Sequence, residues 1–258
     1  MLLAVDVGNT NVTCGVFAEA DLVHTFRLRS SRERTVDECA VSLHQMLALR
    51  GVAARDLSAA IVASVVPALT ETFARAIDAT LVQRPLVVGA PGFDLGLVIA
   101  CDNPAEVGAD RIVNAVAALA RCPGGALVVD LGTATTIDCV SPRGEFLGGV
   151  IAPGVEVGLQ ALVGRTAKLP PVPLTPPPAA LGRNTRHAMQ AGSVYGHAAL
   201  VDGLLSRLQA ELDFEAEVIG TGGLAPAIAP HTTRLRSLDP DLTLSGLRVL
   251  FEKNRGAV

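Results

Sequence analysis

An internal echo constrains this chain more than any other feature. Leu3-Ala4-Val5-Asp6-Val7-Gly8-Asn9-Thr10 returns as Val128-Val129-Asp130-Leu131-Gly132-Thr133-Ala134-Thr135. Each copy is an apolar strand, then Asp-x-Gly, then small hydroxyl or amide residues, then a second strand. Asp130 follows Asp6 by 124 positions in a chain of 258 residues, close to half its length. The echo therefore favours two similar α/β lobes, each with a carboxylate at a strand end, and a division into residues 1–118 and 119–258.

The remaining pattern agrees, because short apolar runs alternate with longer amphipathic ones. Leu2–Val5, Thr13–Phe17 and Leu22–Leu28 read as a three-stranded meander. Thr35–Arg50 is a helix with Val36, Ala40, Leu43 and Leu47 on one face. Ala60–Val66 is a buried strand, and Pro67 suits the first position of the next helix. Leu86–Val88 and Leu97–Ala100 are further strands. Asn103-Pro104-Ala105-Glu106 is a capping pattern, interrupted by Gly108, and a helix resumes near Asp110 and runs to about Ala120. Strands follow at Ala126–Val129, Thr135–Val140 and Val218–Ile219, and helices at Gly154–Val163, Thr185–Leu212 and Leu242–Lys253. Pro170–Pro178 reads as an extended arm over a cleft or a dimer.

The hairpin chemistry suits phosphate. Gly8, Asn9, Thr10 and Asn11 offer backbone N–H groups and side-chain donors without bulk. An adjacent carboxylate would repel phosphate unless a cation lay between them. Gly220-Thr221-Gly222-Gly223, directly after a strand, is a third approach free of bulk and suits a nucleoside. A single Asp-x-Gly is commonly just a turn; two such hairpins and a glycine turn in this order are a stronger signal. Neither G-x-x-x-x-G-K-[ST] nor G-x-G-x-x-G occurs, which removes two other nucleotide folds.

Composition narrows the partners. A net charge of −4 with 3% aromatic residues argues against nucleic acid, which is tracked by basic surfaces and stacked rings. The charge-free runs Leu57–Thr70 and Val218–Thr233 are broken by Pro or Gly and fall short of the ~20 apolar residues of a membrane helix. Met1-Leu2-Leu3-Ala4-Val5-Asp6 has no basic leader before its carboxylate, so a cytoplasmic protein is expected. Five dispersed cysteines with no C-x-x-C read as buried free thiols in a reducing cytoplasm. The five histidines show no metal spacing and read as surface or packing residues. Gly192-x-x-x-Gly196 would let two long helices approach closely, either between subunits or within the chain.

The ordered motifs resemble type III pantothenate kinase. They are Asp6-Val7-Gly8-Asn9-Thr10, Asn103-Pro104-x-Glu106-Val107-Gly108-Ala109-Asp110-Arg111 and Asp130-Leu131-Gly132-Thr133-Ala134-Thr135-Thr136. Gly148-Gly149-x-Ile151-x-Pro153-Gly154, Thr166-Ala167-Lys168-Leu169-Pro170 and Thr221-Gly222-Gly223 complete the series, and the resemblance covers nearly the whole chain in register, from Leu3 to Asn254. The resemblance implies an α/β fold of two duplicated ribonuclease-H-like (actin-like ATPase) domains with a cleft between them. The first phosphate hairpin and substrate loop would lie in 1–118, and the second hairpin, adenosine turn and dimer helix in 119–258.

The implied activity is transfer of a phosphoryl group from ATP to pantothenate, the first step of coenzyme A synthesis, by a homodimer using Mg²⁺ and K⁺ or NH₄⁺. Carried over by position, Asp6, Val7, Gly8, Asn9, Thr10, Asn11, Val12 and Thr13 would line the ATP phosphates, with Thr133, Gly222 and Gly223 contributing from the second lobe. Asp6 would hold Mg²⁺ through water and Asp130 the monovalent cation. Asp110 would be the general base; Gly108, Ala109, Arg111 and Cys101 would hold pantothenate, helped by Thr185 from the partner subunit. The family often reads Pro-Gly-x-Lys-Thr-Gly where this chain has Pro91-Gly92-Phe93-Asp94-Leu95-Gly96, and often a tyrosine where it has Cys101. These departures leave two alternatives: a kinase of the same fold for another small hydroxyl or carboxylate substrate, and a nucleotide-binding accessory protein for transcription.

Overall fold

A computed structural model describes residues 1–81 and 83–256. The chain forms two compact units, one of Met1–Val98, Asp102–Ala117 and Asp241–Val258, the other of Ile99–Cys101 and Ala118–Pro240. The last helix thus belongs to the first unit, whereas the sequence division puts it with the second.

In the first unit, β1 (Leu2–Val7) pairs antiparallel with β2 (Asn11–Ala18), and β2 with β3 (Asp21–Arg29). On its other side β1 runs parallel to β4 (Ala59–Ser64), which pairs with β5 (Leu86–Val87). The order is β3-β2-β1-β4-β5. Both faces of β1 are covered, which is why it reads as an unbroken apolar run rather than an alternating one. Leu3, Val5 and Val7 join a core with Leu43 and Leu47 of α1 (Val36–Ala48) and Leu69, Phe73 and Ile77 of α2 (Pro67–Leu81). Leu2 and Ala4, on the opposite face, pack with Val113 and Val116 of α3 (Ala109–Arg121).

The second unit repeats this plan. Its central β7 (Ala126–Leu131) is antiparallel to β8 (Ala134–Val140), which pairs with β9 (Glu145–Pro153). β7 is parallel to β10 (Glu217–Thr221), which is parallel to β11 (Ser237–Leu238). With the short β6 (Val98–Ile99) beyond β9, the order is β11-β10-β7-β8-β9-β6. Apart from β6, the pairing matches that of the first sheet, so the sequence echo is an echo of topology. α4 (Val155–Arg165) follows β9. Leu127, Val129 and Leu131 pack against Val194, Ala198, Val201 and Leu205 of α5 (Thr185–Glu211). The short α6 (Ala225–Ile228) follows β10.

Most expected elements are present within a few residues of the expected bounds, but β9 was not anticipated. Gly148, Gly149 and Pro153 weaken its strand signal. Gly148 has φ +116° beside a bulge at Cys139/Val140, and a side chain on Gly149 would strike the Ile137 carbonyl. The glycines allow the strand to pair there. The proline-rich arm is held to α5: Gln190 Nε2 donates to Thr175 Oγ1 (2.8 Å) and the Pro173 carbonyl (3.3 Å), and Tyr195 Oη to the Pro177 carbonyl (3.1 Å). Of the five free cysteines, four are buried and Cys101 is half-buried. No described helix is long and apolar enough to cross a membrane.

α7 (Leu242–Asn254) closes the first unit. Leu244, Leu247 and Leu250 enter the core that holds Leu2, Ala4 and Ile61. Gly246 makes this approach possible, since a Cβ there would collide with the Val113 carbonyl and Cγ1. Gly246→Ala should lower unfolding free energy by about 1–3 kcal/mol, the usual cost of overpacking, measured by urea denaturation.

Candidate active site

Within the first unit, two motifs arrive at one end of the sheet. The β1–β2 turn is closed by Gly8 N–H donating to the Asn11 carbonyl (3.0 Å) and braced by Ser30 N–H on the Thr10 carbonyl (3.0 Å). A Cβ on Gly8 would lie 3.0 Å from the Asn11 oxygen, so the turn is tight. Asn9, Thr10 and Asn11 are exposed at the tip. Asp6 and Thr13 are register partners and therefore share a face, both half-buried. Val7 and Val12 are fully buried, so their side chains serve the core and only their backbone can meet a ligand.

The second motif meets the turn through Val65. Its N–H donates to the Val7 carbonyl (3.1 Å), placing the end of β4 beside the turn. A Cβ on Gly108 would lie 2.7 Å from Asp110 Oδ1 and 3.4 Å from Val65 Cγ1. The Asp110 carboxylate thus rests against the bare Gly108 backbone, at the carboxyl end of β1 and β4. Arg111 N–H donates to Asp110 Oδ1 (2.7 Å). Burial pushes the Asp110 carboxyl above the ordinary carboxylate range; the Arg111 N–H and guanidinium pull it down, with smaller effect. A desolvated carboxylate in the first turn of a helix suits proton abstraction. The capping expected at Asn103 takes another form: Pro104–Glu106 is a 3₁₀ turn, and Asn103 Nδ2 donates to Glu106 Oε1 (3.4 Å).

The second unit assembles its own end. Asp130 pairs with Thr136 across β7–β8 and with Thr221 across β7–β10, so the Asp-x-Gly hairpin and the glycine turn leave the sheet side by side. Gly132 N–H donates to the Ala134 carbonyl (3.0 Å), and Thr133 is exposed at the tip. Gly222 has φ +94°, and a Cβ there would lie 2.5 Å from both Asp130 Oδ1 and the Leu131 carbonyl. Leu224 N–H then ties the turn to the Leu131 carbonyl (2.9 Å).

Residues beyond the expected site set also shape these ends. Gly154 N–H donates to the Thr133 carbonyl (3.1 Å), and a side chain on Gly154 would strike that same oxygen. It is the N-cap of α4 and lies in a quoted motif, but nothing local in the sequence marks its partner. Val65 gave no signal at all. Cys101 lies elsewhere in the second unit: its Sγ is 3.8 Å from the Phe146 carbonyl, at the end of β9 away from the Thr133 hairpin. Thr185 is exposed in the first turn of α5, whose N-cap Asn184 accepts from His187 N–H (2.8 Å).

The donor set fits a nucleotide with hard cations. Each unit offers a turn with backbone N–H groups, exposed hydroxyl or amide side chains, and one aspartate. The described residues hold no cluster of three or more His, Cys, Asp or Glu that could cage a metal. One aspartate beside each turn fits Mg²⁺, which keeps several waters and takes phosphate oxygens alongside one or two carboxylates.

The departure at Asp94 has a structural explanation within the first unit. Its N–H donates to Asn254 Oδ1 (2.8 Å), its carbonyl accepts from Asn254 Nδ2 (2.9 Å), and its Oδ1 accepts from Gly96 N–H (2.8 Å). Lys253 Nζ is 3.5 Å from its Oδ2. Phe93, Leu95 and Leu97 pack against the core around Leu250. Asn254 anchors the backbone of this loop to the end of α7, the Asp94 carboxylate adds its contacts to Gly96 and Lys253, and Leu95 supports the core.

Comparison with known proteins agrees with these motifs. The profile of the type III pantothenate kinase family matches residues 2–207. The type III pantothenate kinase of Myxococcus xanthus is 46% identical over 257 residues, covering 100% of both chains. That of Moorella thermoacetica is 47% identical over 254 residues, covering 98% of this chain and 100% of the relative. Among solved structures, a Baf family transcriptional activator from Campylobacter jejuni aligns with a TM-score of 0.63 at 19% identity, over 98% of this chain and 99% of that one. The activator of 2-hydroxyisocaproyl-CoA dehydratase from Clostridium difficile aligns with a TM-score of 0.58 at 11% identity, over 99% and 96%. At these identities the two structures support the fold alone.

Gly108→Ala tests the seating of Asp110. The added methyl must displace the carboxylate, and a displacement of ~1 Å can cost ~10²-fold in rate. Turnover should fall by at least about tenfold with little change in the thermal midpoint, read by steady-state kinetics and calorimetry.

Proposed function

The chain belongs to the type III pantothenate kinase family, and from that premise we propose which of its residues carry the chemistry. The reaction is ATP-dependent phosphorylation of pantothenate to 4′-phosphopantothenate, the first step of coenzyme A synthesis, with a divalent metal ion accompanying ATP. Asp110 is the general base. It accepts the proton of the primary hydroxyl as that oxygen bonds to the γ-phosphorus and the bond to the β–γ bridging oxygen breaks, leaving ADP. The observation that carries this role is the desolvated Asp110 carboxylate lying against Gly108, at the strand ends where the Asp6–Thr13 turn emerges.

Gly108, Ala109 and Arg111 hold pantothenate, Arg111 through the forked donors of its guanidinium. The turn from Asp6 to Thr13 and Thr133 hold the phosphates, and Gly222 and Gly223 admit the nucleoside. Bound cations neutralise phosphate charge, which is most of what phosphoryl transfer asks of its site. In this proposal Asp6 would hold Mg²⁺ through water, and Asp130 would hold K⁺ or NH₄⁺. Cys101 forms part of the pantothenate wall in the same proposal, and the enzyme resides in the cytoplasm.

The enzyme works as a homodimer built on α5. Gly192, Gly196, Ala199 and Gly203 form an exposed stripe on that helix, and Cβ atoms on the three glycines would meet nothing within 4 Å. Thr185 falls on the same face by helical spacing, as a residue lent to the partner's substrate would.

Two measurements test this reading. With ATP, Mg²⁺ and K⁺, pantothenate should give the highest kcat/KM of a panel of small hydroxyl acceptors, and a better acceptor would reassign the substrate. Asp110→Asn should lower kcat by about 10²–10⁴-fold, or about 3–5 kcal/mol in barrier. Because the Asp110 pKa is raised, the wild-type acid limb of kcat/KM should lie above that of an ordinary aspartate near pH 4 and be missing from the residual Asp110→Asn activity. Separately, Gly196→Arg should shift the mass in solution from dimer to monomer and raise KM for pantothenate, read by light scattering and kinetics.

A further inference from the structure

The hairpin that carries Thr133 has a brace that the reaction chemistry does not use. Thr135 Oγ1 lies 2.8 Å from His197 Nε2. Thr135 is 1% exposed and His197 8%, so neither can touch a ligand. Thr135 pairs with Leu131 on the last rung of the β7–β8 ladder, directly below the Gly132–Ala134 turn. His197 lies near the middle of α5, followed by Ala198, which packs with Leu131 and Ile137. The backbone of the turn is held at Thr133 by Gly154 and at Leu131 by Leu224. The Thr135–His197 hydrogen bond is a polar, directional tie between the returning strand and α5, beside the apolar packing of Ile137 and Cys139 on that helix.

A buried polar pair of this kind is costly unless both members are satisfied, and losing one leaves the other unpaired. A leucine or valine pair would fill the same space without that liability, but could not fix the rung along one direction. Burial holds the His197 ring below the ordinary histidine value, and hence neutral, so one nitrogen accepts while the other donates. With either tautomer the hydroxyl can complete the bond.

We propose that His197 is a positioning residue for the second phosphate hairpin: through Thr135 it fixes the rung from which Thr133 reaches the ATP phosphates. This rests on the reading that the Thr133 hairpin meets those phosphates. His197 therefore governs ATP affinity and turnover without touching ATP, and leaves pantothenate affinity to the Gly108–Arg111 segment.

The test compares KM for ATP with KM for pantothenate. Thr135→Val keeps the side-chain shape and removes the hydroxyl; it should raise KM for ATP about tenfold and leave KM for pantothenate within about twofold. His197→Leu should do the same, and the double variant should be no worse than either single one, since both break one bond. Thr135→Ser keeps the hydroxyl, and His197→Gln can place a polar atom near the Nε2 position, so both should recover most of the ATP affinity. If His197→Leu does not fold, the Thr135 pair answers alone. An unchanged KM for ATP in Thr135→Val, with Thr133→Ala raising it, overturns the role of His197 and leaves the hairpin reading standing. An equal rise in both KM values would make the pair merely structural and likewise overturn it. An unchanged KM for ATP in Thr133→Ala overturns the hairpin reading and this proposal with it.

Discussion

Everything in the site depends on a strand that is antiparallel to one neighbour and parallel to the other. β1 turns back at once into β2, so the hairpin must emerge at its carboxyl end. β4 runs parallel to β1 and so finishes at that same end. The pairing of β7 with β8 and β10 imposes the same result in the second unit. Each sheet thereby delivers a hairpin and a following segment to one place, next to an aspartate that closes an otherwise apolar strand. Strands buried on both faces tolerate a carboxylate only at the end, which fixes where the charge can be.

Close backbone approach is the second requirement. Gly108 leaves room for the Asp110 carboxylate, Gly222 for that of Asp130, and Gly154 for the Thr133 carbonyl. In the first two cases the space a methyl would fill is taken by a carboxylate oxygen, so glycine there places charge rather than merely permitting a turn. Gly222 adds a conformational reason, since its φ of +94° is open to few other residues.

The hairpins were legible in the sequence because Asp-x-Gly between two apolar runs is a local pattern, and its recurrence made a mere turn the weaker reading. The reason for Gly108 was not legible, because the motif does not state that the Asp110 carboxylate folds back against it or that Val65 lies on its other side. β9 was hidden by the glycines that let it pair. α7 was read correctly as a helix and assigned to the wrong domain, since an apolar face does not state which core it will join. Asp94 was read as a change on the substrate side from the motif alone; that its carboxylate accepts from Gly96 N–H and faces Lys253, while Asn254 holds its backbone, depends on a helix 160 positions away. His197 had no local signal separating it from the other histidines, because its partner Thr135 lies 62 positions away.

The allegiance of α7 has a consequence for biosynthesis. The first unit is discontinuous: its last helix is made after the whole of the second unit, whose residues from Ala118 to Pro240 continue without interruption. On a ribosome adding roughly 5–20 residues per second, the N-terminal sheet waits on the order of ten seconds for the helix that covers Leu2, Ala4 and Ile61. During that interval the face of β1 and β4 that carries Leu2, Ala4 and Ile61 has the cover of α3 but not that of α7. The second unit has its full sequence once Pro240 is added, while the first still lacks α7. A nascent chain stopped before Asp241 would therefore hold the whole sequence of the second unit and an incomplete first one, so the sheet made first is completed by a helix made after the other unit.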